Sequence, residues 1–145
     1  MDLERNKRNV RRVHEEAFGE GRLEVVDEVV APDAVDHHVF AGETDFSAAM
    51  KGVILALRAA MPDLCHTVED VIAEGDRVAV RVVMTGTHTA DPLFGVPASG
   101  RSVNVEQYHI LQFDDRGFAV QHWGHVGADE LMRQVGRQDH QPVAR

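Results

Sequence analysis

The chain has 145 residues, 15 Lys plus Arg against 24 Asp plus Glu for a formal net charge of −9, and a 43% hydrophobic share. One domain spanning 1–145 can bury roughly two thirds of its extended surface, which excludes separate modules and makes staples unnecessary. A field of that sign repels phosphate backbones, so nucleic acid is not expected as a partner.

The first residues, Met1-Asp2-Leu3-Glu4-Arg5, are charged at once. With no apolar leader and no long apolar run, the expectation is a cytoplasmic protein with no membrane partner. The single cysteine, Cys65, forms no internal disulfide and is read as a small buried hydrophobe. Over 6–18, Val10, Val13, Ala17 and Phe18 recur at helical spacing, and Gly19 ends the helix. A second short helix is expected around Leu23, Val26, Val29 and Val30, stopped by Pro32 through its ring and missing donor. Residues 33–43 lose the period and read as loop. A third helix carries the stripe Phe46, Met50, Val53, Ile54, Leu57 and Met61, with Thr44 and Asp45 as candidate caps and Pro62-Asp63 as its stop.

From residue 64 onward the apolar period becomes two. Strands are expected at 64–73, 77–89, 101–113 and 118–126, with turns at Glu74-Gly75-Asp76 and Asp114-Asp115-Arg116-Gly117 and a loop over 90–100. A short helix over 128–135 precedes Gly136, and 137–145 reads as a loose tail. Helices first and a strand meander afterwards give an α+β fold. Strands of about a dozen residues exceed the usual length of about 5–6, so the sheet must curl. The expected architecture is a curved antiparallel sheet wrapped around the N-terminal helices, forming a cone with an internal pocket.

Alternation assigns Val103, Val105, Gln107, His109, Leu111 and Phe113 to one face, and Ser102, Asn104, Glu106, Tyr108, Ile110 and Gln112 to the other. Gln107 and His109 therefore point inward. His122 shares phase with Phe118, Val120, Gly124 and Val126, while Trp123 in the opposite set leaves the facing of that strand open. His88 follows Val78, Val80, Val82, Met84 and Gly86 to the rim, so three histidines converge on one cavity. A buried neutral imidazole, of reference pKa about 6.5, can serve there as base or acid. His14, His66 and His140 are read as satisfied half-buried groups and Asp36 as a solvated loop carboxylate. His37-His38 are adjacent and His122 and His125 face opposite sides of a strand, which is not metal-ligand spacing. HExxH, a phosphate loop, a nucleophile elbow and CxxC are missing, so neither metal nor cofactor is expected. An outer sheet face bearing Val83, Tyr108, Ile110 and Trp123 suggests a back-to-back homodimer.

Six stretches of the chain stand together: Ala34-Val35-Asp36-His37, the run from Thr67-Val68-Glu69-Asp70 through Glu74-Gly75-Asp76-Arg77-Val78-Ala79, Thr85-Gly86-Thr87-His88-Thr89 with Gly100-Arg101, His109-Ile110, Gln121-His122-Trp123 and Gln134-Val135-Gly136. Together they resemble the SnoaL-like polyketide cyclases of the nuclear transport factor two-like and ketosteroid isomerase-like superfamily. The resemblance runs from the first helix to Gly136. It implies a cofactor-free, acid/base-catalysed aldol-type ring closure of an aromatic polyketide ester or related carbonyl compound. A pocket group removes an acidic proton beside a carbonyl, and the enolate attacks an internal carbonyl.

The resemblance also implies pocket roles near His37 and His109; with His122 these are the candidate catalytic residues. Gln107, His88, Trp123, Phe46 and Met50 are the candidate substrate-binding residues, for an apolar or aromatic small molecule. The family's usual acid/base is an aspartate just after the tryptophan of the last strand, where this chain has Gly124. Either His122, His109 or Asp129 takes the proton, or the chemistry differs, or catalysis is lost. Relatives include hydroxylases and isomerases, and a non-catalytic binding or assembly module of the same fold is the competing reading.

Overall fold

The computed structural model describes residues 1–38 and 45–136. Thr44, His140, the tail from 137 and the end of the expected 33–43 loop lie outside the described residues. The first helix starts earlier than its apolar stripe, because the Arg5 backbone N–H donates to the Asp2 carboxylate at 3.0 Å and caps α1 (Leu3–Arg12). At Val13 the helix widens into a π-helical stretch, Val13–Phe18, which buries Val13, His14 and Ala17. Such widening re-aims side chains and concentrates at functional sites. α2 (Glu24–Val29) leads directly into β1 (Val30–Asp36). α3 (Phe46–Ala60) is capped by Asp45, whose carboxylate accepts from the Ala48 N–H at 2.9 Å.

The sheet comprises β1, β2 (Cys65–Glu74), β3 (Arg77–Thr87), β4 (Ser102–Phe113) and β5 (Ala119–His125), and α4 (Ala128–Gln134) follows. Its order is β1-β5-β4-β3-β2, and it is not closed. The α+β cone with its sheet packed on the helices is as expected, with one difference. Residues 33–36 are strand rather than loop, and β1 runs parallel to β5, so the sheet is mixed. Pro32 has no N–H to give, and the register breaks around it between Val30 and Val35, which an edge strand tolerates. Beyond the break, Val35 pairs with Gln121 and Asp36 with His122.

On β4 the buried residues are the six that alternation places inward. On β5 a register shift opposite Gln112 and Phe113 puts both Ala119 and His122 inside, which is why its simple alternation conflicts. Cys65 is exposed, because the same alternation on β2 sends His66 under the helices. The interior consists of two apolar clusters. One joins Val10, Val13, Val25, Val26 and Val29 to Val80, Val82, Leu111 and Phe113; the other joins Leu57, Met61 and Leu64 to Met84, Val105 and Leu131.

Candidate functional site

Between the two clusters lies a cavity of about 240 Å³. Its apolar walls include Phe46 and Met50 from α3, Phe18 from the π-helical stretch, Leu111 from β4 and Leu131 from α4. Among the described residues its polar lining is His14, Gln107, His109 and His122. Few polar groups in an apolar wall is the usual build of a small-molecule site.

Those polar groups are linked. The His122 ring lies with Nδ1 2.7 Å from Asp36 Oδ1 and Nε2 2.8 Å from His109 Nδ1, and His109 Nε2 lies 3.0 Å from Gln107 Oε1. The parallel β1–β5 pairing delivers the carboxylate, since Asp36 stands beside His122 in register, with side chains only 3% and 7% exposed. An ionised Asp36 requires hydrogen on His122 Nδ1; His122 Nε2 then accepts from His109 Nδ1–H. This leaves the lone pair of a neutral His109 on Nε2; in this tautomer a half-turn of the Gln107 amide, which exchanges two groups of nearly equal shape, replaces the oxygen there by the NH₂ as donor. Burial holds the His109 pKa well below the ordinary histidine value, aided by His14 and His122, while the Asp36 charge pulls the other way. Burial also lowers His122, against the raising effect of its bond to Asp36.

A second pair adjoins this chain. His14 Nδ1 and His66 Nδ1 are 3.1 Å apart, and the His14 ring centroid is 5.3 Å from that of His109. Phe18 stacks on His66 at 4.5 Å. Burial drives His66 down to about 3 and His14 well below the ordinary value.

Of the expected site residues, the structure brings Phe46, Met50, Gln107, His109 and His122 to the cavity. His37 and Trp123 are elsewhere: Trp123 pairs with Ile110 on the outer face, His37 stacks on it at 4.9 Å, and His37 Nε2 bonds Gln121 Oε1 at 2.7 Å. His88 keeps the inward phase, buried like Gly86 before it, but lies beyond the residues that line the cavity; its Nε2 bonds the Asp91 carbonyl at 2.7 Å. Asp129 is exposed in the first turn of α4. Asp36, His14 and His66 are the residues that sequence reading set aside. His14 falls on the same helical face as Val10 and Ala17, which was a usable signal; nothing local marks Asp36.

No group of three or more His, Cys, Asp or Glu among the described residues is arranged to hold a metal ion. No helix among them is long and apolar enough to cross a membrane. The family model for SnoaL-like polyketide cyclases matches residues 8–135. The chain belongs to the SnoaL-like polyketide cyclase family.

Solved structures of similar fold agree. TsrD from Streptomyces laurentii is 27% identical to this SnoaL-like chain, with a TM-score of 0.81 over 94% of this chain and 98% of that one. AclR from Streptomyces galilaeus, described as a proposed hydroxylase, is 27% identical, with a TM-score of 0.79 over 97% of this chain and 87% of that one. IdmH from Streptomyces antibioticus, described as a proposed polyketide cyclase, is 30% identical, with a TM-score of 0.73 over 91% of this chain and 99% of that one. Among curated proteins none matches.

Proposed function

We propose that this SnoaL-like protein catalyses an intramolecular aldol-type ring closure of an aromatic polyketide or related carbonyl compound, by acid/base chemistry of its own side chains. One observation carries the reading: a buried Asp36–His122–His109 chain, with bonds of 2.7 and 2.8 Å, ends at an apolar cavity. In the reaction the His109 Nε2 lone pair takes a proton from carbon beside a carbonyl. The C–H pair becomes the enolate double bond and the carbonyl π pair moves to oxygen. The His109 Nδ1 proton shifts toward His122 Nε2, and the positive charge spreads over two rings against the Asp36 carboxylate.

The enolate carbon then bonds to an internal carbonyl carbon, and His109 returns its proton to the alkoxide formed there. Product and substrate have the same atoms, so no co-reactant enters. The apolar walls exclude water from the enolate, and one positioned base contributes about 10²- to 10⁴-fold. The test uses a panel of aromatic β-dicarbonyl esters and follows conversion to a cyclic isomer of unchanged mass. Conversion above buffer is expected, lost in His109→Phe while the ester still binds. Tight binding without conversion in the wild type would contradict the proposal and favour a binding module.

The outer sheet face supports a homodimer as the working form. Ile72, Tyr108 and Ile110 are 65%, 49% and 42% exposed there, and a second copy's sheet would cover them. Sedimentation at micromolar concentration is expected to give a dimer, and a monomer would contradict this.

A further inference from the structure

The His14–His66 pair is not used by the proton-transfer chain, yet His14 lines the same cavity as His109. Only one hydrogen can occupy the 3.1 Å gap between the two Nδ1 atoms. If His14 supplied it, a neutral His66 would carry its own hydrogen on Nε2. That atom is buried and has no hydrogen-bond partner among the described residues. A buried N–H without an acceptor is rarer than a buried acceptor without a donor. The favoured arrangement therefore has His66 Nδ1–H donating to His14 Nδ1, with an unshared pair on His66 Nε2. His14, neutral, then carries its hydrogen on Nε2, the ring nitrogen left for the cavity.

We infer that His14 is the electrophile of this site: its Nε2–H donates to the carbonyl oxygen that becomes the enolate oxygen, and His66 is the positioning residue that fixes this tautomer. The inference rests on the proton-transfer reading above and adds the partner that an enolate charge needs. His109 and His14 line the same cavity with ring centroids 5.3 Å apart and planes tilted by 37°, close enough for one carbonyl unit to meet the lone pair of one and the N–H of the other. Both rings of the donor pair stay neutral at ordinary pH because burial disfavours their charged forms. A neutral donor does not protonate the enolate outright, and its preorganised dipole in a dry site stabilises the charge where it develops. Phe18, stacked on His66 at 4.5 Å and on His14 at 5.9 Å, holds the two rings in place.

The test reads the tautomer directly, by long-range ¹H–¹⁵N correlation on protein labelled in its histidine ring nitrogens. At neutral pH His14 should show hydrogen on Nε2 and a bare Nδ1. On adding a nitro-substituted naphtholate, a flat enolate mimic that stays ionised at neutral pH, the His14 Nε2–H resonance should move downfield. In His66→Phe the His14 signal should become a mixture of tautomers and turnover should fall about tenfold with KM little changed; His66→Gln, which keeps a donor, should restore both in part. Hydrogen on His14 Nδ1 in the free protein, failure of the naphtholate to bind, or a bound naphtholate that leaves the Nε2–H unmoved would overturn the inference. Its failure is separable from that of the proton-transfer reading. His109→Phe should abolish turnover without disturbing the His14 tautomer, whereas a correct His14 shift in a wild type that turns nothing over would contradict only the chemistry.

Discussion

Gly124 and His109 face each other across β5 and β4, and the glycine's missing side chain is what lets His109 bond to His122. A Cβ at position 124 would stand 2.5 Å from His109 Nδ1 and 2.7 Å from His122 Nε2, the two atoms of that bond. Neither ring can retreat freely, since Asp36 holds His122 and Gln107 holds His109. Gly124→Ala should therefore split the pair, costing about 1–3 kcal/mol of stability and about a hundredfold in kcat/KM. Thermal unfolding measured beside turnover checks both; an alanine variant equal to the wild type in each would show that the two rings are not coupled.

Asp36→Asn removes the negative charge but preserves the shape. The asparagine amide can donate to His122 Nδ1, which reverses the tautomer and leaves His109 without an acceptor at His122. Turnover should fall by roughly 10²-fold or more, with ligand affinity changed only a few-fold. Steady-state kinetics with calorimetric binding separate the two, and equal losses in both would point to collapse of the cavity instead.

The buried histidines set an acid limit on stability. His66 is held at about 3, and His14 and His109 well below the ordinary value, in each case chiefly by burial. Unfolded, each titrates near 6.5, so below about pH 6.5 the unfolded chain binds protons that the folded chain refuses. The stability these neutral rings allow is complete above about pH 6.5 and falls as the pH drops, by roughly 1.4 kcal/mol per pH unit for each ring involved. Urea midpoints should decline steeply from about pH 6.5 to 4.5, and His66→Phe should decline less steeply. Midpoints independent of pH over that range would show that the rings are hydrated.

Phe94 has φ 48° beside Gly95 at 85°, in a tight turn closed by reciprocal Leu93 and Val96 backbone bonds of 2.9 Å. A left-handed conformation costs a bulky residue roughly 1–2 kcal/mol, and this one is 57% exposed while its ring lines the cavity. Phe94→Asn should raise stability by up to about 1 kcal/mol and weaken the binding of aromatic ligands. Chemical denaturation and a binding titration would show both, and a stability loss would mean that the ring contributes more packing than the turn costs.

How much of this was legible in the sequence follows from the range of each signal. The π-helical stretch hid within a correct helical stripe, since Val10, Val13 and Ala17 keep their phase through it. The inward set of β4 was readable because alternation is local, and Gln107 and His109 came with it. Asp36 was not readable, because its role depends on a parallel pairing with a strand 86 positions away and on a register broken at Pro32. The resemblance implies a pocket role for His37, and Trp123 is read both as a binding residue and on the outer face; the pleat of β5 sends Trp123, and His37 stacked on it, to the outer face. The inward phase of His88 was readable from β3, but the length of the cavity was not, and His88 lies beyond it, bonded to the Asp91 carbonyl.

The central claim is that His109, backed by His122 and Asp36, moves a proton on a bound carbonyl compound. It is tested most directly by the exchange of α-protons of an aromatic β-dicarbonyl ester in D₂O, followed by NMR. The expected result is exchange faster than buffer with the wild type, abolished in His109→Phe and strongly slowed in Asp36→Asn, with the ester bound in all three. Exchange that survives His109→Phe would contradict the claim.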